Sequence, residues 1–250
     1  MTVYFIGAGP GAADLITVRG QRLLGQCPVC LYAGSIMPDD LLALCPPGAR
    51  VVDTGPLTLE QIVGEISEAH AAGHDVARLH SGDPSLYSAL AEQCRRLDAL
   101  DIGYHIVPGV PAFAAAAAVL GRELTVPGVA QTVTLTRVAT SSTAMPAGED
   151  LATLARPGAT LVVHLAAAQI DAVVGQLVAG GYQPGTPAAV VAFASRPQQR
   201  VLRGTLADIA GQMHDAGITK TAVIVVGDVL AAQGFTDSYL YSAARRRGHQ

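Results

Sequence analysis

Short β-branched runs alternate with longer stretches whose apolar positions recur every three or four residues, and this alternation organises the first half of the chain. Strands are expected over residues 3–6, 28–32, 50–53, 75–79 and 104–107, with helices such as 58–71 and 85–99 between them. Strand, helix and strand joined by short loops indicate βαβ units and a largely parallel sheet. Residues 108–120 break the rhythm with two prolines and an alanine-rich helix that has almost no polar face. Such a helix should be buried, and its small side chains allow another backbone or a flat ligand to come close. Beyond Pro127-Gly128 the pattern changes to 131–138, an alternating, threonine-rich strand suited to a mixed or antiparallel sheet. Further strands are expected over 159–165, 188–193, 199–204 and 221–226, with the third and fourth of these close enough for a hairpin. The expectation is an α/β fold of two domains, 1–122 with a parallel sheet and 123–250 with a mixed one.

Composition narrows the function. A hydrophobic share of 50% over 250 residues supplies ample core. Sixteen Lys plus Arg against 20 Asp plus Glu leave a formal charge of -4, and the basic run Arg245-Arg246-Arg247 sits at the C-terminal end, so nucleic-acid binding is disfavoured. Charged residues make up 14% of the chain, which favours burial of apolar surface against a second copy, so a homo-oligomer is expected. The opening MTVYFIGAGPG lacks the features of a signal peptide, and no run reaches the roughly 18 apolar residues that span a bilayer; a cytoplasmic protein without membrane contact is expected. The four cysteines, Cys27, Cys30, Cys45 and Cys94, are expected as free thiols. Cys27 and Cys30 form a CxxC pair open to redox or zinc chemistry, but no second pair follows and 29–32 reads as a strand, which favours buried thiols. His70 and His74 lie four apart, yet Gly73 and the helix end beside them point to the helix dipole; no metal is assigned.

Gly7-Ala8-Gly9-Pro10-Gly11-Ala12 follows a strand and precedes a helix, satisfying the loose dinucleotide fingerprint and making an NAD-dependent oxidoreductase the first reading. Two details oppose it. Pro10 removes an N–H from a turn that would have to cradle pyrophosphate, and the second strand ends in Tyr32-Ala33-Gly34-Ser35 where an acidic residue for the ribose should stand. What survives is a tight turn at the C-terminal edge of a parallel sheet, where such folds place ligands. After the fourth strand, His80-Ser81-Gly82-Asp83-Pro84-Ser85-Leu86-Tyr87 reads as a turn that ends in a helix-starting serine and holds one carboxylate at the same edge. Asp83 either organises that turn or meets a ligand, and its position opposite the glycine loop favours the ligand.

Gly7-Ala8-Gly9-Pro10-Gly11, Ser81-Gly82-Asp83-Pro84 and Val107-Pro108-Gly109-Val110, in this order before an alanine-rich helix, resemble the tetrapyrrole (corrin/porphyrin) methyltransferases. The resemblance spans nearly the whole chain. Residues 31–35 and 78–87 are most similar to the branch that methylates precorrin-4 at C11. It implies two α/β domains with an active-site cleft between them, S-adenosylmethionine bound there and leaving as S-adenosylhomocysteine, a homodimer, and a role in cobalamin synthesis through conversion of precorrin-4 to precorrin-5. Carried onto this chain, the cofactor contacts are Ser81, Gly82, Asp83 and Leu86 in the acidic loop, and Pro111 and Ala112, which match a Thr-Ala pair commoner in the family. Pro10 matches a proline of the first loop, Leu165 a methionine position, Ala194 a glycine of the second domain, and Ala222 the start of its last strand. The sirohaem branch has an Asp after the second-strand tyrosine and a Lys after the third strand; Ala33 and the Asp53-Thr54-Gly55-Pro56 segment stand here instead, which favours a later corrin step.

Methyl transfer from a sulfonium asks chiefly for alignment, so a catalytic dyad is not required. An anion against the sulfonium would stabilise the ground state more than the transition state, so Asp83 is expected at the ribose or amino-acid part. The substrate's carboxylates call for arginines, with Arg19, Arg78, Arg137, Arg196 and Arg200 as candidates by chain position. His80 or Tyr87 could accept a proton, although a buried structural role for each is the favoured reading. The alternatives are another tetrapyrrole substrate, cobalt-precorrin-4 or uroporphyrinogen III; an NAD-dependent oxidoreductase; and a noncatalytic tetrapyrrole carrier that would not need the Asp83 loop.

Overall fold

The structure, a computed structural model, describes residues 1–33, 37–140 and 143–239. Gly34 and Ser35 of the second-strand motif and the Arg245–Arg247 run lie outside the described residues. The chain divides into two compact units, Met1–Ala115 and Ala116–Gln250, with the division inside a helix; the sequence reading drew it after 122.

In the first unit the strands are β1 (Val3–Gly7), β2 (Val29–Tyr32), β3 (Arg50–Asp53), β4 (Val76–His80) and β5 (Tyr104–Val107), and the helices α1 (Val18–Leu24), α2 (Asp39–Leu42), α3 (Leu59–Ala71) and α4 (Leu90–Asp98). The sheet order is β3-β2-β4-β1-β5, and every pairing is parallel. Apolar residues fill both faces, as a parallel sheet requires: Ile6, Cys30, Ala77 and Leu79 on one side, Val3, Phe5, Leu31 and Val76 on the other. Helix starts follow local chemistry. Thr58 and Gln61 form a reciprocal capping box on α3, and the Thr17 hydroxyl accepts the Gly20 N–H to open α1.

Helix α5 (Ala112–Leu120) carries the division. The second unit holds β6 (Val133–Arg137), α6 (Leu151–Leu154), β7 (Thr160–His164), α7 (Ile170–Ala179), β8 (Pro187–Ala192), β9 (Arg200–Thr205), α8 (Ile209–Asp215) and β10 (Ala222–Val226). Its order is β6-β7-β10-β8-β9. β6 runs parallel to β7 and the other pairings are antiparallel, so the sheet is mixed; its hairpin is β8–β9, not the pairing of 199–204 with 221–226 expected from the sequence, because β10 inserts between β7 and β8.

Two further expectations need correction. The helix placed at 85–99 begins only at Leu90, because 81–89 form an irregular loop in which Tyr87 and Ala89 take left-handed backbone (φ 53 and 52°). Helix α5 is not buried all round: Ala115, Ala116 and Leu120 are, while Ala118 is exposed. A run of alanines offers little apolar area per turn, so only one face has to be covered. Among the described residues no helix is long and apolar enough to cross a membrane, and all four cysteines are free, with Cys27 and Cys30 buried.

Candidate functional site

The C-terminal ends of β1, β4 and β5 lie side by side, and three backbones meet there with no side chains between them. A Cβ built on Gly7 would stand 2.5 Å from the Gly109 Cα and 2.8 Å from the Gly82 carbonyl oxygen. One built on Gly109 would run into the Gly82 carbonyl and Gly7. Glycine is thus demanded by approach rather than by dihedral at Gly7 and Gly109, whereas Gly82 needs it for its φ of 70°. The missed signal was that β1 and β5, neighbours in the sheet, both run directly into a glycine turn.

Two amides of the glycine loop are engaged within the fold and not offered to a pyrophosphate. The Ala8 N–H donates to His80 O (2.8 Å) and the Gly9 N–H to Gly82 O (3.2 Å), with the Gly82 N–H returning to Gly9 O (2.8 Å); Pro10 has none to offer. The loop leads into a short 3-10 turn, Ala13–Leu15, and α1 begins only at Val18. The helix expected directly after the loop is therefore displaced, and the helix-terminus anion site of a dinucleotide fold is missing here.

Asp83 organises its own loop. Oδ1 accepts the Ser85 N–H (2.8 Å) and the Ser85 hydroxyl, and Oδ2 accepts the Gly109 N–H at 2.7 Å. A carboxylate has about four acceptor positions, so three of them serve the protein. Partial burial pushes the Asp83 pKa up, but the hydrogen bonds from the Ser85 hydroxyl, the Gly109 N–H and the Ser85 N–H together outweigh it and hold the carboxyl below its ordinary value. The same Asx turn explains why Ser85 starts no helix: its N–H and hydroxyl face backwards onto Asp83.

Seven of the positions proposed from the resemblance fall in this first unit. Pro10 is buried beside the Gly9–Gly82 bridge, Ser81 is exposed and Leu86 half-buried. Gly82 faces Pro111 and Ala112: a Cβ on it would lie 3.7 Å from the Pro111 Cα and 3.6 Å from the Ala112 nitrogen. The other three lie at one edge of the second sheet. Leu165 directly follows β7, Ala222 opens β10 and Ala194 lies just past β8; Ile224 pairs with Val163 and Ala222 with Ala192, which brings the three ends to one level. Leu165 (φ 54°), Phe193 (51°), Ser195 (63°) and Thr221 (53°) all take left-handed backbone there, so each proposed position is itself in that region or flanked by it. Such conformations cost about 1–3 kcal/mol each and gather where geometry serves function.

Other candidates fare differently. His80 is 5% exposed, packs on Phe5 with ring centroids 5.7 Å apart, and has its Nε2 buried without a hydrogen-bond partner among the described residues. Burial, then the nearby Arg78 charge, push its pKa down to about 3, which makes it a poor proton acceptor. Tyr87 is 43% exposed. Arg78 is 5% exposed and engaged inside the unit by Gln93 and Thr54, so it does not reach out to a substrate carboxylate. Arg137 donates to the Val138, Thr143 and Ala144 carbonyls, and Arg200 to that of Ala216. Arg19 is exposed and Arg196 half-buried.

A parallel α/β unit with a glycine cradle and an acidic turn at its C-terminal edge, followed by a mixed-sheet unit, matches a known class. The family model of the tetrapyrrole (corrin/porphyrin) methylases covers residues 2–210, and the chain belongs to that family. It is 82% identical over 245 residues to a precorrin-4 C(11)-methyltransferase of Mycobacterium tuberculosis, covering 98% of each chain. It is 41% identical to a cobalt-precorrin-4 C(11)-methyltransferase of Methanocaldococcus jannaschii, over 96% of this chain and 92% of that one. Among solved structures it resembles a cobalamin biosynthetic enzyme, cobalt precorrin-4 methyltransferase (TM-score 0.89, 39% identity, 92% and 95% of the two chains). It also resembles a Thermus thermophilus uroporphyrin-III C-methyltransferase complexed with S-adenosylhomocysteine (TM-score 0.78, 29% identity, 92% and 93%).

Proposed function

We propose that this chain transfers the methyl group of S-adenosylmethionine to C11 of precorrin-4, giving precorrin-5 and S-adenosylhomocysteine in cobalamin biosynthesis. The observation that carries the proposal is the cradle at Gly7, Gly82 and Gly109, where backbone replaces side chains and the Asp83 turn is hydrogen-bonded across the end of β1 to the turn after β5. Bare backbone beside Pro111 and Ala112 suits a flat adenosine and leaves peptide groups to recognise it. The cofactor contacts we assign are Pro10, Ser81, Gly82, Asp83, Leu86, Pro111 and Ala112 in the first unit, with Leu165, Ala194 and Ala222 in the second. The 82% identity to a precorrin-4 enzyme, against 41% to a cobalt-precorrin-4 enzyme, favours the metal-free substrate.

When bound, the sulfonium supplies an electrophilic methyl group, and the chain's part is to bind and orient. Holding two reactants in attack geometry can be worth roughly 10⁵–10⁸ M in effective molarity. Asp83, committed to Gly109 and Ser85, anchors the loop and keeps its remaining acceptor position for a neutral donor of the cofactor. A homodimer working in the cytoplasm completes the proposal, supported by the 14% share of charged residues.

Titration calorimetry with S-adenosylhomocysteine and, separately, NAD tests it on wild type and Asp83→Ala. Binding of the former, none of the latter, and weakened binding in the variant are expected, followed by methyl transfer to precorrin-4. Binding of NAD alone would return the glycine loop to a dinucleotide role and end the methyltransferase proposal.

A further inference from the structure

The acidic loop is held near both ends, and one of the holds at its far end traces back to a buried cation. Arg78 lies within β4, 5% exposed, and among the described residues no carboxylate pairs with it. Its Nε donates to Gln93 Oε1 at 3.0 Å and its Nη1 to Thr54 Oγ1 at 2.9 Å. Both partners pass the contact on. Gln93 Nε2 donates to the Ala89 carbonyl at 3.0 Å, and Thr54 Oγ1 to the Tyr32 carbonyl at 2.9 Å, which also accepts the Thr54 N–H at 2.7 Å. One hydrogen-bonded line therefore runs from the end of β2 through Arg78 to Ala89, the left-handed residue that opens α4.

Stability is a poor reason for this arrangement. A guanidinium removed from water needs strong compensation, and replacing a buried charge by an apolar group of similar volume is often neutral or stabilising. Among the described residues its hydrogen-bond partners are neutral dipoles, and burial lowers its pKa to about 10. What the residue does supply is a rigid planar fork that fixes two partners at set angles. Loop 81–89 is held near its start by the Gly9–Gly82 bridge and by Asp83 to Gly109, and near its end by His80 to the Ser88 backbone and by Gln93 to Ala89, and of these only the last depends on Arg78.

We infer that Arg78, acting through Gln93 and Thr54, is a positioning residue for methyl transfer: it sets the placement of the loop carrying Ser81, Gly82 and Leu86 without touching substrate or cofactor. This rests on the methyltransferase reading above. A misplacement of about 1 Å can slow a reaction by about a hundredfold, so the loss should appear in turnover rather than in stability.

The test uses the full chain as wild type, Arg78→Met, Thr54→Val and Thr54→Ser. Three quantities are read: the thermal midpoint, the affinity for S-adenosylhomocysteine, and kcat and KM for methyl transfer to precorrin-4. Arg78→Met should keep or raise the midpoint and lower kcat roughly ten- to hundredfold, with KM changed by less than about threefold. Thr54→Val should lower kcat in the same direction and Thr54→Ser should restore it. A lowered midpoint with wild-type kcat in Arg78→Met would overturn the inference and leave Arg78 a structural residue. If Arg78→Met does not fold, the threonine pair decides: equal kcat in the valine and serine variants overturns it, and a selective loss in the valine variant supports it. Failure of the wild type to bind S-adenosylhomocysteine would remove the methyltransferase reading and this inference together, whereas binding with unchanged variant kcat removes this inference alone.

Discussion

The Asp83 carboxylate accepts the Gly109 N–H at 2.7 Å, which ties the loop after β4 directly to the turn after β5. Removing the acceptor strands a partly buried donor, which costs about 1–3 kcal/mol. Asp83→Ala should therefore destabilise the protein by about that amount. Asp83→Asn should come close to it, because an amide can face only one of Ser85 and Gly109 with oxygen and turns an N–H towards the other. Urea unfolding of the three proteins checks this, and a wild-type midpoint for Asp83→Ala would show the clamp to be idle.

Gly109→Ala is expected to be more damaging than an ordinary loop substitution. The added Cβ meets the Gly82 carbonyl and the Gly7 backbone, which cannot rotate away as a side chain would, so overpacking of about 1–3 kcal/mol applies. Gly103→Ala, whose Cβ would meet nothing within 4 Å, is the control. The expected readout is a clear fall in thermal midpoint for the first and little change for the second.

His80 gives the pH dependence a definite sign. Its pKa is about 3 in the folded protein against 6.5 for the free side chain, so between those values the unfolded chain binds more protons. The stabilisation is fully present above about pH 6.5 and is lost as pH falls towards about 3, a loss on the order of a few kcal/mol. His80→Asn cannot titrate, so its stability should fall less steeply over that window. Parallel curves for the two proteins would show that His80 is not the buried neutral group described above.

Cysteine reactivity should be selective. Cys45 is half-buried, and a hydrogen bond from the Cys30 thiol lowers its pKa. Cys27, by contrast, is raised to about 12, chiefly by burial. Since the thiolate is the reactive form, iodoacetamide should modify Cys45 well before Cys27 or Cys30 in the native protein. Cys30→Ala should slow modification of Cys45, and equal labelling of all three thiols by peptide mass mapping would contradict this.

Strand positions were legible in the sequence because β-branched runs bounded by turns carry their own signal, as at 50–53 and 222–226. The start of α4 was not. Ser85 has the chemistry of a helix cap, and nothing local says that its hydroxyl will be claimed by Asp83 or that Tyr87 and Ala89 will take left-handed backbone. The glycine loop shows the same limit: GAGPGA reads as a nucleotide turn until the Ala8 and Gly9 amides are seen bonded to residues 80 and 82. Arg78 was readable as a cation, but its engagement depends on Thr54 and Gln93, brought to it by the packing of β3 and α4. The left-handed residues around 193–195 and 221 carried no sequence signal, since Phe, Ser and Thr are not residues that favour such backbone.

The two kinds of sheet set different demands on folding. In the first unit the central pairing joins Val3 to Val76, so a long stretch of chain must close before a single β1–β4 contact forms. In the second, Ala192 meets Arg200 across a short turn. Loop closure of distant partners comes at an entropic disadvantage before any contact compensates it. The β8–β9 hairpin should therefore acquire amide protection early in refolding and β1–β4 late, an order that pulsed hydrogen exchange can read. The parallel unit, and with it the glycine cradle, would be the last part of the chain to become competent.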